Sequence, residues 1–106
     1  GCTTTCDALW MGVPVVTLAG SMSYSRFGVS LLSNLGLEEF IATGPEEYVK
    51  KAVSWAIKRK GLATLRSELR ARMAASVLCD VKAFTKGVEE VYHRMWSRWC
   101  KSSGEV

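Results

Sequence analysis

Residues 1–20, GCTTTCDALWMGVPVVTLAG, set three consecutive threonines between a glycine and an apolar segment that runs into Gly12 and Pro14. Thr3 to Met11 suit a short helix. Ala8, Leu9 and Trp10 are apolar, Gly12 tolerates the backbone of a helix C-terminus, and Pro14 forbids continuation. The following VPVVTLAG then reads as a short buried strand bounded by Gly20.

Working outward, Arg26 to Asn34 form a second helix with Phe27, Leu31, Leu32 and Leu35 at helical intervals, closed by Gly36. EEFIA (38–42) is a second short strand, followed by the turn residues Thr43, Gly44 and Pro45. The rest is helical. Pro45 suits a helix start, and Glu46 and Glu47 complement the dipole of the first turn. Val49, Ala52, Val53, Ala56 and Ile57 are expected to face inward. Gly61 is expected to interrupt before a helix carrying Leu62, Leu65, Leu69 and Met73. Asp80 caps a last helix whose stripe is Phe84, Val88, Val91, Tyr92, Met95 and Trp99, with Val91, Tyr92 and Met95 expected in the core and Trp96 flanking the stripe. Residues 101–106, KSSGEV, form a polar, frayed tail.

Helix and strand alternate in the first half, so the fold class is α/β: two short parallel strands with several helices, and an all-helical second half. Two short strands are not a stable parallel sheet, and a ligand-binding helix N-terminus ordinarily follows a strand. The chain is therefore expected to be part of a larger sheet-containing domain, starting at a strand-to-helix loop.

Composition limits the functions. The 106 residues allow one ordinary domain at most, and the 48% apolar and 23% charged shares are those of a folded protein. No apolar run approaches the roughly 18 residues that cross a bilayer. Cys2, Cys6, Cys79 and Cys100 are too few and too scattered for a disulfide scaffold, and no two further ligands complete a zinc site. They read as idle thiols in a reducing cytoplasm. Residues 50–72 hold eight of the fourteen basic side chains and one acid, Glu68. With only Trp55 among them, they read as a solvated face rather than a nucleic-acid groove.

The opening stretch carries the chemistry. A helix N-terminus presents unpaired N–H groups and about half a unit of positive charge, and small hydroxylated residues there let an anion approach closely. A diphosphate at Thr3, Thr4 and Thr5 is chemically natural. Asp7, one turn on, leans back toward the N-terminus and could accept hydrogen bonds from two ribose hydroxyls. The same residues also serve as an ordinary helix cap with an acid in the first turn.

The sequence TTTCDALWMGVPVVTLAG, followed by SRFGVSLLSNLGL, LRSELRARM, FTKGVEEVYHRMW and RWC, resembles the C-terminal catalytic region of the O-linked N-acetylglucosamine transferase and SPINDLY family. The resemblance covers nearly residues 1–100. It implies the C-terminal part of a Rossmann-like domain of a GT-B glycosyltransferase, with 1–100 the incomplete nucleotide-sugar-binding portion and 101–106 a tail. It implies transfer of N-acetylglucosamine from UDP-N-acetylglucosamine (UDP-GlcNAc) to serine and threonine hydroxyls of acceptor proteins, by inversion and without a metal. No cofactor beyond the donor substrate is implied.

Thr3 and Thr4 match the family threonines that hold the donor diphosphate, and Asp7 matches the acid that holds the ribose. Thr5 has a positional claim alone. Cys2 departs from the family, which carries histidine in the N-acetylglucosamine branch and threonine in the plant SPINDLY branch that moves fucose from GDP-fucose. Arg26, in SRFG, is closer to the N-acetylglucosamine branch. The donor-binding set is thus Cys2, Thr3, Thr4, Thr5 and Asp7, with no catalytic residue and no metal ligand in the chain. The family's remaining parts, an upstream half of the catalytic region and tetratricopeptide repeats, lie outside it, so the chain alone is expected to be inactive. The implied setting is cytoplasmic, with no nucleic acid or membrane partner. Two alternatives stand: a GDP-fucose-dependent protein O-fucosyltransferase of SPINDLY type, and a non-catalytic helical interaction module whose basic belt binds an anionic partner.

Overall fold

The computed structural model describes residues 1–104. Helix α1 (Cys2–Trp10) leads to strand β1 (Thr17–Leu18), helix α2 (Phe27–Asn34), strand β2 (Ile41–Ala42), and then helices α3 (Pro45–Ile57), α4 (Arg59–Ala74) and α5 (Val81–Ser103). The two strands pair in parallel, Thr17 opposite Ile41 and Leu18 opposite Ala42. This is the α/β arrangement expected from the sequence.

Helices α1 and α2 end in the same way. Gly12 and Gly36 have φ of +77° and +66°. In each case the next residue's amide reaches back five residues, Val13 N–H to the Ala8 carbonyl at 2.8 Å and Leu37 N–H to the Leu32 carbonyl at 2.9 Å. The glycine amides bond to Leu9 and Ser33, completing the Schellman pattern. Gly12 is doubly required, because a Cβ there would lie 2.7 Å from the Arg66 carbonyl oxygen.

The core lies where α1, α2 and α4 meet. Leu9, Leu32, Leu35, Leu37, Phe40, Leu65, Leu69 and Met73 form one buried cluster. Trp55 of α3 closes its side by stacking on Phe40, ring centroids 4.7 Å apart.

Glu47 ties β2 to α3. Its carboxylate accepts from the Thr43 amide at 2.7 Å and the Thr43 hydroxyl at 2.8 Å, and it pairs with Lys51 at 3.1 Å. These contacts, the Thr43 amide foremost, hold its pKa down to about 2. A carboxyl titrating lower folded than unfolded contributes stability that is present above its unfolded pKa, near 4.3, and fades as pH falls toward 2. Urea midpoints measured between pH 6 and pH 2 should therefore fall more steeply for the native chain than for Glu47→Gln. Parallel curves would show that the clasp has no weight.

Three sequence expectations are corrected. The break between α3 and α4 falls at Lys58, not Gly61, which sits inside α4. Lys58 lies over the Trp55 ring, 5.4 Å from its centroid, so the turn is fixed around the tryptophan. On α3 the packed side is Lys51, Ala52 and Trp55, while Val49, Val53, Ala56 and Ile57 are exposed. The stripe of α5 is exposed as well apart from the half-buried Val88, with Val91, Tyr92 and Met95 outside the core expected for them. The helix is capped as expected, Asp80 accepting from the Ala83 amide at 3.0 Å, yet none of its residues is buried. It stands out from the body, giving extents of 64 × 30 × 19 Å and a radius of gyration of 18.4 Å, where a compact chain of this length has about 13 Å. Helix α5 continues through Ser103, three residues into the polar tail; Glu105 and Val106 lie outside the described residues.

Candidate functional site

The candidate residues all lie on the first two turns of α1. At 3.6 residues per turn each position advances about 100° around the axis, which divides them into two sets. Thr3, Thr4 and Asp7 share an outward sector, and all three are exposed. Cys2 and Thr5 fall on the side of the buried Leu9, with Thr5 half-buried.

The first turn has no side-chain cap; the threonine hydroxyls instead turn back on it. Thr5 Oγ1 donates to the Gly1 carbonyl at 2.7 Å, whereas Thr4 Oγ1 reaches the same oxygen at 3.3 Å. The Thr5 hydroxyl is thus firmly engaged and the Thr4 hydroxyl weakly held. The α1 N–H groups at this end lack intrahelical acceptors, and the Thr3–Thr4–Asp7 face is open beside them. An anion seated on that turn would meet amide donors and the hydroxyls of Thr3 and Thr4, with a carboxylate one turn behind. This arrangement suits a diphosphate followed by a sugar bearing vicinal hydroxyls.

The other end of α1 is anchored by residues that sequence reasoning missed. Arg66 Nε donates to the Gly12 carbonyl and Arg70 Nε to the Trp10 carbonyl, both at 2.9 Å. The Arg70 guanidinium also covers the Trp10 ring at 5.4 Å. Cations at a helix C-terminus complement its dipole, so α4 fixes the direction in which α1 aims its N-terminus. Their spacing of four on α4 was visible, but a partner more than fifty residues away was not.

This anchoring also weakens the case for a basic binding belt. Of the eight basic residues in 50–72, Arg66 and Arg70 hold α1, Lys51 bonds to the Ile41 carbonyl and Glu47, Arg72 pairs with Glu68, and Lys58 covers Trp55. A shallow groove along α5, lined by Glu90, His93, Arg94, Ser97, Arg98 and Lys101, belongs to one face of a single helix. No helix among the described residues is long and apolar enough to cross a membrane.

Residues 1–88 match the model of glycosyl transferase family 41. The chain is 46% identical over 100 residues to a tomato (Solanum lycopersicum) protein named as a probable UDP-N-acetylglucosamine–peptide N-acetylglucosaminyltransferase SPINDLY; the match covers 94% of this chain and 11% of that one. It is 39% identical over 101 residues to the Arabidopsis thaliana protein SEC, given the same enzyme name, covering 94% of this chain and 10% of that one. Among solved structures it is similar to a mutant O-GlcNAc transferase of Thermobaculum terrenum, with a TM-score of 0.88 at 41% identity, over 97% of this chain and 20% of the other. The chain thus spans about a tenth of the length of these curated relatives, and its fold is that of the corresponding part of an O-GlcNAc transferase. It belongs to glycosyl transferase family 41.

Proposed function

We propose that residues 1–100 are the C-terminal portion of the nucleotide-sugar-binding Rossmann-like domain of a cytoplasmic protein O-glycosyltransferase. The full-length protein transfers N-acetylglucosamine from UDP-GlcNAc to serine and threonine hydroxyls of acceptor proteins. The observation that carries this reading is the open Thr3–Thr4–Asp7 face at the uncapped N-terminus of α1, in a chain whose relatives bear that enzyme name.

An acceptor hydroxyl attacks the anomeric carbon with inversion, and the nucleoside diphosphate departs. Negative charge grows on the departing diphosphate. A pre-aimed helix N-terminus with the hydroxyls of Thr3 and Thr4 stabilises that charge more in the transition state than in the ground state, with no metal required. Asp7 holds the ribose hydroxyls, and Cys2 and Thr5 flank the turn. The upstream part of the protein supplies the opposite wall and the acceptor site, so the 106-residue chain by itself does not transfer sugar.

A second reading keeps the site and changes the donor to GDP-fucose. It is favoured by higher identity to relatives named SPINDLY, 46% for the tomato protein, than to SEC, 39%. Assay of the full-length protein with each labelled donor and a serine- and threonine-rich acceptor decides between them. Transfer from UDP-GlcNAc alone is expected. Transfer from GDP-fucose alone would establish the second reading, and a folded protein using neither would sink both.

A further inference from the structure

Cys2 and Cys6 form the one nucleophilic pair on α1, and the proposed chemistry uses neither thiol of the pair as a reacting group. They stand one helical turn apart, on the same side of α1 as the buried Leu9, about 20° and about 60° from it around the axis. Cys2 is exposed and Cys6 half-buried, with Cys6 packed against the hydrophobic cluster. The Cys6 thiol has both Cys2 and Cys79 as neighbours.

We propose that Cys2 and Cys6 are a modification site, closing to a reversible disulfide that deforms the first turn of α1 and weakens its hold on a nucleoside diphosphate. This rests on the donor-binding role given to that turn above. Side chains four apart on a helix hold their Cβ atoms about 5–6 Å apart, whereas a disulfide needs about 3.5–4.5 Å. Closure therefore draws them together by about 1–2 Å. The turn that must yield has no capping side chain, since its N-cap is Gly1, and is held through the Gly1 carbonyl alone, which accepts from the Thr5 amide at 3.2 Å and the Thr5 hydroxyl at 2.7 Å. The amides that must yield are the ones an anion would use.

The oxidant is a hydroperoxide. Cys2, the accessible thiol, attacks as its thiolate; the O–O bond breaks, leaving a sulfenic acid on Cys2 and releasing water or an alcohol. Cys6 sulfur then attacks the Cys2 sulfur, the S–S bond forms, the S–O bond breaks, and water carries off the remaining oxygen. Two electrons pass from the two thiols to the peroxide. Burial, followed by the neighbouring Cys2, raises the Cys6 thiol above its ordinary value. A less stable Cys6 thiolate favours the closed disulfide once it exists.

The test uses the full-length protein, oxidised with hydrogen peroxide or kept reduced, with UDP and GDP as binding probes. Tryptic cleavage leaves Cys2 and Cys6 in one peptide ending at Arg26, so closure appears there as the loss of two hydrogens. Expected results are that peptide, at least tenfold weaker nucleotide binding by the oxidised protein, and recovery with dithiothreitol. Cys6→Ala, which keeps an apolar group against the core, should bind like the reduced protein and abolish both effects; Cys6→Ser gives the same readout should the alanine variant misfold. Oxidation that stops at Cys2, a Cys6–Cys79 bond, or a Cys2–Cys6 disulfide with unchanged affinity would each overturn the proposal. Failure of the donor-binding reading looks different: the reduced protein itself would bind neither nucleotide, and the proposal would fall with it.

Discussion

Phe40→Ala is expected to destabilise the chain by about 3–5 kcal/mol, while Trp99→Ala changes its stability by less than about 0.5 kcal/mol. The larger side chain gives the smaller effect because of where each sits. Phe40 is 1% exposed and, just ahead of β2, packs the core against α3 by stacking on Trp55. Truncating a buried phenylalanine removes its transfer free energy and leaves a cavity, about 3–5 kcal/mol together, and loss of the aromatic pair falls within that range or slightly beyond it. Trp99 is 64% exposed on a helix with no buried residue, and surface substitutions lie within about ±0.5 kcal/mol. Against a total stability of about 5–15 kcal/mol for a domain this size, the first change should bring the urea midpoint down severely and the second should leave it in place. Equal losses would mean that α5 packs on the body in solution.

The same contrast explains how far the sequence could be read. Gly12 and Gly36 marked helix ends correctly because a Schellman stop is local: the glycine, the preceding turn and the following apolar residue suffice. Leu65, Leu69 and Met73 were legible because their face meets α1 within this chain. Val49, Val53 and Ile57 on α3, and Phe84, Val91, Tyr92, Met95 and Trp99 on α5, obey the same period yet are exposed. Periodicity reveals that a face is apolar, not that its partner is present. The packed side of α3 was hidden for a second reason. It includes Lys51, half-buried with its ammonium bonded to the Ile41 carbonyl, and such amphipathic residues read as polar in any pattern.

At the site, the threonines and Asp7 were legible because a hydroxyl run ahead of an apolar helix has one local geometry. The division into an outward Thr3–Thr4–Asp7 face and an inward Cys2–Thr5–Cys6 side needed the helix phase, which is fixed by Leu9 entering the core. The anchoring of α1 by Arg66 and Arg70 needed the tertiary fold, since backbone carbonyls leave no mark in a sequence.

That helix phase orders the expected effects of substitution in the full-length protein. Thr4→Val keeps the side-chain volume and removes a hydroxyl whose partner among the described residues is the Gly1 carbonyl at 3.3 Å, a bond weak enough to be exchanged for a phosphate oxygen. A hydrogen bond to a charged group is worth about 1.5–3 kcal/mol, so kcat/KM should fall about tenfold to a hundredfold. Thr5→Val should cost less, because that hydroxyl is committed to Gly1 at 2.7 Å and faces the core side. Asp7→Asn keeps the shape but weakens acceptance from the ribose, an interaction present before and during reaction. It should therefore raise the donor KM more than it lowers kcat. A helix that merely uses these residues as its cap gives another pattern: small losses in Tm for all three variants and unchanged kinetics per folded molecule. Measuring Tm and donor kinetics on the same three proteins separates the outcomes, and flat kinetics for Thr4→Val and Asp7→Asn would remove the diphosphate from this helix.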